Sequence, residues 1–228
     1  MKLLVVNADD LGYDPSIDRG ILEAHAGGIV TSASAMVDGP FAGAALRDAP
    51  ASLGVGLHAV LDPASGEEAA VAELERQIGR FVALRGARPT HVDTHKHAHA
   101  APPILAAVTR VARAHGLPVR AIDAGMRASL RAAGVATTDR FLGDAGLRPA
   151  WTAEALLAAL AGVEEGATEM MAHPGHAASR VRTSFSAERE IELRALCDPR
   201  AREAVRRAGI RPCTWADVWV RDRAGTPA

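Results

Sequence analysis

The chain has 228 residues, of which 48% are apolar and 23% charged, and its formal net charge is −1. This composition predicts one globular domain with a hydrophobic core and excludes the basic balance typical of proteins that bind nucleic acid or anionic membranes. Cys197 and Cys213 form no metal-type or disulfide pattern, the N-terminal apolar run is too short for a signal peptide, and no run approaches a membrane span, so we expect a cytoplasmic protein.

Short apolar stretches alternate with longer segments of helical periodicity along the chain. The predicted strands are residues 3–8, 31–37, 53–60, 90–95, 119–122, 169–172 and 211–214. The predicted helices are residues 15–25, 41–47, 69–84, 102–115 and 152–162, a segment capped by Ser186, and residues 200–208. Residues 123–149 show no clear pattern.

This alternation predicts a single-domain α/β protein with a parallel sheet. The strand number, seven or eight, favours a (β/α) barrel-like fold, either regular or distorted. We expect the domain to span residues 1–220 and the Arg-rich tail, residues 221–228, to be frayed.

The run from His91 to His99 has a polar residue at every second position. In an extended strand these side chains share one face, which would align four imidazoles and a carboxylate. A polar surface strand and a His-rich loop are the alternatives to a metal site.

Polar clusters follow four of the predicted strands. They are Asn7-Ala8-Asp9-Asp10, Gly56-Leu57-His58, Asp93-Thr94-His95-Lys96-His97 and His173-Pro174-Gly175. Because the carboxyl ends of parallel strands meet at one edge of a sheet, we expect these clusters to lie together. Asp and His side chains bind divalent metals and can leave a coordination position open.

Asp9 and Asp10 are expected to point in different directions from the end of the first strand. One would then ligate a metal while the other accepts a proton from metal-bound water. A histidine opposite them would donate a proton to the leaving group. This equipment suits metal-assisted hydrolysis of an amide or ester, and the spacing does not identify the substrate.

At these residues the chain resembles the YdjC-like carbohydrate deacetylases, which include the chitooligosaccharide deacetylases and those associated with hopanoid biosynthesis. The similar segments are residues 6–12, 28–32, 53–58, 89–99 and 171–175. They occur in the family's order and span residues 3 to about 215.

The resemblance implies a (β/α)-barrel-like hydrolase that removes the acetyl group from an N-acetylated sugar or sugar conjugate and releases acetate. It implies one divalent ion, Mg²⁺ in the family or else Zn²⁺ or another transition metal. The ligands it implies are Asp10, His58 and His95. Asp9 is then the general base and His173 the proton donor. Arg120 either pairs with Asp9 and lowers its pKa or is a surface residue.

Five more residues are expected to support the ligands or face the substrate: Asn7, Tyr13, Asp93, His97 and His99. The expected partner is a small N-acetylated sugar or glycoconjugate, with no nucleic acid and no membrane span. A homodimer is one possible oligomeric state.

Two other function classes stay open. One is a different single-metal hydrolase, such as a phosphoesterase or a non-sugar amidase, although no second ligand set or Gly-rich phosphate loop favours it. The other is a non-catalytic carbohydrate-binding relative, for which an aromatic share of 4% is low.

Overall fold

A computed structural model describes residues 1–143 and 150–224 of the chain. The strands within these ranges are β1 (Lys2–Leu11), β2 (Ser32–Ala35), β3 (Gly54–Ala59), β4 (Val92–Thr94), β5 (Arg140–Leu142), β6 (Gly166–Ala172) and β7 (Ile210–Pro212). The helices are α1 (Pro15–Gly27), α2 (Ala42–Asp48), α3 (Glu67–Arg85), α4 (Pro102–His115), α5 (Ala124–Ala132), α6 (Ala153–Ala161), α7 (Ala187–Leu196), α8 (Pro199–Arg207) and α9 (Trp215–Ala224).

The strands form one parallel sheet in the order β4-β3-β2-β1-β6-β5. β6 pairs with β1 from Lys2 to Ala8, whereas β7 and β2 pair with the first and last parts of β1. The sheet is curled into a half-barrel flanked by helices, which confirms the α/β single domain and the distorted form of the barrel.

The faces of β1 explain where the fold places its chemistry. Leu4 and Val6 belong to the main hydrophobic core. On the other face, Leu3 and Val5 belong to a smaller cluster with Trp215, the first residue of α9. The same face continues with Asn7 and Asp9 toward the carboxyl end of the strand. It is therefore apolar at the start of β1 and polar at its carboxyl end.

Two predicted features differ from the structure. Residues 119–122 are not a strand, because Val119 makes only an isolated bridge with Val92 and its backbone N–H donates instead to Ala136. β5 and α5 occupy part of the segment without a clear pattern. α9 continues to Ala224, four residues into the predicted tail; residues 225–228 of the tail lie outside the described residues.

In the two described ranges, no helix has both the length and the apolar character needed to cross a membrane.

Candidate active site

The end of β1 carries two adjacent carboxylates into one cavity. Between Ala8 and Leu11 the pairing of β1 with β2 shifts register, so Asp9 and Asp10 form a bulge. Asp10 has a φ of 73°, a left-handed conformation that aspartate tolerates better than most residues. Both side chains line a cavity of about 240 Å³. The bulge thus brings together two neighbours that strand alternation would separate.

Three possible ligand atoms converge at this cavity. Oδ1 of Asp10 lies 3.3 Å from Nε2 of His58 and 3.4 Å from Nδ1 of His95, and the two nitrogens are 3.2 Å apart. Ligands held at about 2.0–2.2 Å around one ion are separated by distances of this order. Within the described residues, Oδ1 of Asp10 is buried and accepts no hydrogen bond. One carboxylate and two imidazoles therefore fit a divalent ion.

A buried carboxylate fixes which nitrogen of His58 faces the cavity. Nδ1 of His58 donates to Oδ1 of Asp93 at 2.6 Å, which leaves Nε2 for the cavity. Burial opposes protonation of His58, but the charges of Asp93 and Asp9 outweigh it and raise its pKa to about 10. A divalent ion at Nε2 would replace that proton, because a ligating imidazole is neutral.

Arg120 holds the first carboxylate of the bulge. Its terminal nitrogens donate to the two oxygens of Asp9, each at 2.7 Å, and Nη2 also lies 2.9 Å from Oδ2 of Asp93. Asn7 donates its amide N–H to Asp9 at 2.8 Å. Burial would raise the pKa of Asp9, but the Arg120 charge outweighs it and lowers the pKa below its usual value. Asp9 is an oriented, ionised carboxylate beside the ligand atoms.

Glu169 on β6 is a third carboxylate around Arg120. Its Oε1 accepts a hydrogen bond from Nε of Arg120 at 2.8 Å, whereas Oε2 is buried and has no hydrogen-bond partner among the described residues. Burial raises the pKa of Glu169 to about 8, and the Arg120 charge offsets this only in part. The raised pKa of Glu169 gives this carboxyl a smaller share of negative charge near neutral pH than Asp9, whose pKa is lowered.

A second group of possible ligands, Asp9, His58 and Asp93, lies beside the first. Arg120 binds both of these carboxylates, so an ion here would have to displace a buried guanidinium. The geometry favours the group formed by Asp10, His58 and His95.

Arg189 of α7 binds the outer oxygen of Asp10. Its Nη2 donates to Oδ2 at 2.5 Å, and its Nε donates to the backbone oxygen of Phe185 at 2.9 Å. Burial would raise the pKa of Asp10, but the Arg189 charge holds it well below its usual value. With Oδ2 engaged, Oδ1 alone faces the two imidazoles.

The His91–His99 run is a strand only in its first part. β4 ends at Thr94, and a 3₁₀ turn follows in which Lys96 and His97 have φ values of 54° and 52°. The predicted alternation is therefore wrong beyond Thr94. Two consecutive left-handed residues without glycine are strained, which is typical of a functional site.

The other histidines of the run occupy separate environments. His97 lines the cavity with its ring against Phe141, and burial lowers its pKa to about 4. His99 is fully buried behind the cavity, with Nδ1 2.5 Å from the hydroxyl of Thr94. His91 stacks on Trp215, with 5.0 Å between ring centres.

His173 and Tyr13 reach the same cavity from two other connections. The backbone N–H of His173 donates to buried Glu192 at 2.6 Å, and its ring lies 5.4 Å from that of Phe185. The hydroxyl of Tyr13 donates to the backbone oxygen of Arg182 at 3.3 Å. An imidazole thus shares the cavity with Asp9 and the three possible ligand atoms.

The sequence-predicted residues form two layers. Those that line the cavity are Asp9, Asp10, Tyr13, His58, His95, His97 and His173. Asn7, Asp93 and Arg120 lie behind them and hold Asp9 or His58. His99 is not brought to the cavity.

Sequence reasoning missed Glu169, Arg189 and Phe185. Glu169 offered a signal, because it is a charge inside an otherwise apolar buried strand. Arg189 offered none, since α7 is rich in charged residues and resembles a solvated helix.

Known relatives support one family. The family described as YdjC-like protein matches residues 3–70 and 62–207. A chitooligosaccharide deacetylase from Serratia marcescens is 34% identical, over 92% of this chain and 96% of its own. A carbohydrate deacetylase from Thermoanaerobacter pseudethanolicus is 32% identical, over 87% of this chain and 92% of its own.

Solved structures agree with these matches. A protein of Enterococcus faecalis V583, named as a candidate for cellobiose-phosphate cleavage, has a TM-score of 0.85 and 26% identity, covering 95% of this chain and 98% of its own. A family 4 acetyl xylan esterase from Clostridium thermocellum, in complex with a cobalt ion, shares the fold with a TM-score of 0.61 and 16% identity, over 99% and 93% of the two chains. On its family match and its relatives above 30% identity over nearly their full lengths, this chain belongs to the YdjC-like family.

Proposed function

We propose that this protein is a metal-dependent hydrolase that removes the acetyl group from an N-acetylated sugar or sugar conjugate and releases acetate. The observation that carries this proposal is the group formed by Asp10, His58 and His95, with their ligand atoms 3.2–3.4 Å apart, beside the carboxylate of Asp9. The names of the relatives from Serratia marcescens and Thermoanaerobacter pseudethanolicus support the substrate class.

The side chains divide the work of amide hydrolysis. Asp10, His58 and His95 would hold a divalent ion, which would supply Lewis acidity to polarise a carbonyl and acidify a water molecule. Asp9 accepts the proton of the attacking water at its carboxylate, in the orientation fixed by Arg120. His173 donates a proton to the departing nitrogen, so that the products are acetate and the free amine of the sugar.

The cavity suits a sugar as well as an acetyl group. Tyr13 and Phe185 line it with aromatic rings, and the hydroxyls of Thr183 and Ser184 add polar contacts. Aromatic faces pack on the apolar faces of sugar rings while polar groups read the hydroxyls.

The donor set bears on the choice of metal. Two imidazoles and one carboxylate are ligands that Zn²⁺ and other borderline ions favour, whereas Mg²⁺ favours oxygen ligands. The family resemblance points to Mg²⁺, so the metal is to be decided by titration rather than by analogy.

The test is acetate release from N-acetylated sugars, sugar conjugates and matched phosphate esters by the purified full chain. The protein is stripped with a chelator and then reloaded with Mg²⁺, Zn²⁺, Co²⁺ or Mn²⁺. We expect acetate release from at least one N-acetylated sugar, its loss on chelation and its recovery with one ion.

The controls separate the alternatives. Phosphate release without acetate would contradict the proposal in favour of a phosphoesterase. Binding of metal and sugar without any hydrolysis would instead indicate a carbohydrate-binding relative.

A further inference from the structure

One wall of the cavity is an irregular segment. Residues 176–186, here called the wall segment, lie between β6 and α7 and contain neither helix nor strand. Thr183, Ser184 and Phe185 of this segment line the cavity. Without backbone pairing of its own, the wall segment depends on contacts with other elements to keep its shape.

The main contact is the carboxylate of Asp14, which is fully buried. Its Oδ2 accepts hydrogen bonds from three consecutive backbone N–H groups, those of Ser179 at 3.1 Å, Arg180 at 2.7 Å and Val181 at 3.1 Å. Oδ1 accepts the N–H of Ser16 at 2.8 Å, as the N-cap of α1. Burial opposes the charge of Asp14, but these four N–H donors outweigh it and keep its pKa below the usual value.

The first residues of α1 add weaker links to the same segment. The hydroxyl of Ser16 donates to that of Ser179 at 2.9 Å, and the N–H of His176 donates to the backbone oxygen of Ser16 at 3.2 Å. The hydroxyl of Tyr13 donates to the backbone oxygen of Arg182. The connection from β1 to α1, residues 12–14, and the first turn of α1 therefore hold the wall segment directly.

A helix N-cap alone needs only one or two N–H groups of its own helix. Asp14 accepts three further N–H groups from a segment about 165 residues away in sequence. Hydrogen bonds to an ionised group are about twice as strong as neutral ones, so this one side chain contributes much of the order in the wall segment.

We propose that Asp14 is a positioning residue that fixes the wall segment and thereby sets the affinity for the sugar, without taking part in cleavage of the acetyl group. The role in sugar binding rests on the function proposed above, whereas the anchoring of the wall segment does not. Asp14 contacts the wall segment and does not contact Asp9 or the three possible ligand atoms directly. The wall segment reaches Asp10 only through Arg189, which donates to the backbone oxygen of Phe185 and to Oδ2 of Asp10. We therefore expect the loss of Asp14 to change sugar binding more than chemistry.

The test compares Asp14→Asn with the wild type in the metal-loaded full chain. The Asn side chain keeps the shape but loses the charge and one acceptor oxygen. We expect amide hydrogen exchange in residues 179–181 to become at least about tenfold faster. Limited trypsin digestion is expected to cut faster after Arg180 and Arg182, which are exposed.

Kinetics then test the role in binding. We expect KM for the N-acetylated sugar to rise by about tenfold or more, while kcat/KM for p-nitrophenyl acetate, which lacks the sugar, stays within about twofold. Asp123→Asn is the matched control, because Asp123 caps α5 by accepting the N–H of Met126. This control is expected to leave exchange in the wall segment and both kinetic constants unchanged.

Unchanged exchange and proteolysis in a folded Asp14→Asn protein would overturn the proposal. An equal loss of activity toward both substrates would overturn the separation of binding from chemistry. If Asp14→Asn does not fold, Ser16→Ala, which removes only the hydroxyl link to Ser179, is expected to give smaller changes of the same kind. The absence of those changes would also overturn the proposal. If the wild type releases no acetate, the proposed function is contradicted. The hydrogen-exchange comparison then still tests whether Asp14 anchors the wall segment.

Discussion

Arg120 donates a hydrogen bond from each of its terminal nitrogens to the two carboxylate oxygens of Asp9, each at 2.7 Å, and both side chains are buried. A guanidinium fits a carboxylate in this two-point geometry, which a lysine ammonium cannot reproduce. The pairing keeps Asp9 ionised and in one orientation, yet it also weakens Asp9 as a base. A bound ion that lowers the pKa of its water would allow this weaker base to accept the proton, so the Arg120–Asp9 pair and a metal site would complement each other.

Arg120→Lys is expected to lower kcat by about a hundredfold or more while the protein still binds its metal, because Asp9 would lose its fixed orientation. The measurement is kcat together with metal content. Arg206→Lys, at an exposed ion pair on α8, is the control and should behave as wild type. Wild-type kcat in Arg120→Lys would mean that orientation of Asp9 is not needed.

Asp9→Asn is expected to retain the metal and lose hydrolysis by about 10²–10⁴-fold, the usual contribution of a general base. Metal stoichiometry and acetate release measured on the same sample test both halves of this expectation. Near-wild-type turnover would remove Asp9 from the mechanism, and loss of the metal would place Asp9 among the ligands.

His95→Ala is expected to release the metal, because it removes one of three ligand atoms. His97→Ala is a closely matched control, since that imidazole lines the same cavity two residues away but lies outside the ligand group. Competition with a chelator measures both affinities. Full metal occupancy in His95→Ala, or equal losses in the two variants, would contradict the ligand assignment.

Glu169→Gln is expected to change how stability depends on pH. The carboxyl of Glu169 has a pKa of about 8 in the fold and 4.5 as the reference for the unfolded chain. The folded state thus holds a proton that the unfolded state releases between these values, and stability falls as pH rises through this window. The steepest slope from one such group is about 1.4 kcal/mol per pH unit.

Glutamine keeps an acceptor for Nε of Arg120 and cannot ionise, so the variant should gain stability relative to wild type as pH rises from about 4.5 to 8. Urea unfolding of the metal-free proteins across this range measures the difference. Exposed Glu154→Gln serves as the control. Parallel curves for wild type and Glu169→Gln would show that Glu169 ionises normally.

Gly56→Ala is expected to destabilise the protein by about 1–3 kcal/mol. A Cβ at this position would lie 2.3 Å from Cε1 of His91, whose ring is stacked on Trp215 and has no space to retreat. Gly79→Ala, in open space on α3, should instead stabilise by about 0.5–1 kcal/mol. Chemical unfolding measures the free energy of unfolding of both variants, which is expected to fall for Gly56→Ala and to rise for Gly79→Ala. An unchanged value for Gly56→Ala would indicate that the His91 ring moves aside.

Local patterns predicted much of the fold. Strong apolar runs and clear caps, such as Asp14 before Pro15, predicted β1 and α1 closely. Short strands were harder, because the three residues of β5 are too few to show a period. Val119 reads as a strand residue, but its backbone is shared between Val92 and Ala136, and only the tertiary arrangement decides this.

The site shows the same division. Strand ends predicted that the polar clusters containing Asp10, His58 and His95 would meet, because the carboxyl ends of parallel strands lie at one edge of a sheet. The choice of these three residues as ligands came from the family resemblance. The left-handed turn at Lys96 and His97 contains no glycine, so nothing in the sequence signals that the backbone adopts positive φ there. Arg189 is buried only because its partner is the distant Asp10, a fact that the pattern of α7 does not contain.

The position of β1 in the sheet also has a consequence for how the chain acquires its structure. β1 precedes β6 in the chain, so the edge of β1 that pairs with β6 stays open until residues 166–172 have been synthesised. A long apolar strand with an unpaired edge is prone to aggregation while it waits. The pairing is highly non-local, which slows folding. Arg189, which pairs with the buried carboxylate of Asp10, lies after β6 in the chain. The charge of Asp10 therefore stays without this guanidinium until the chain has been synthesised beyond residue 189.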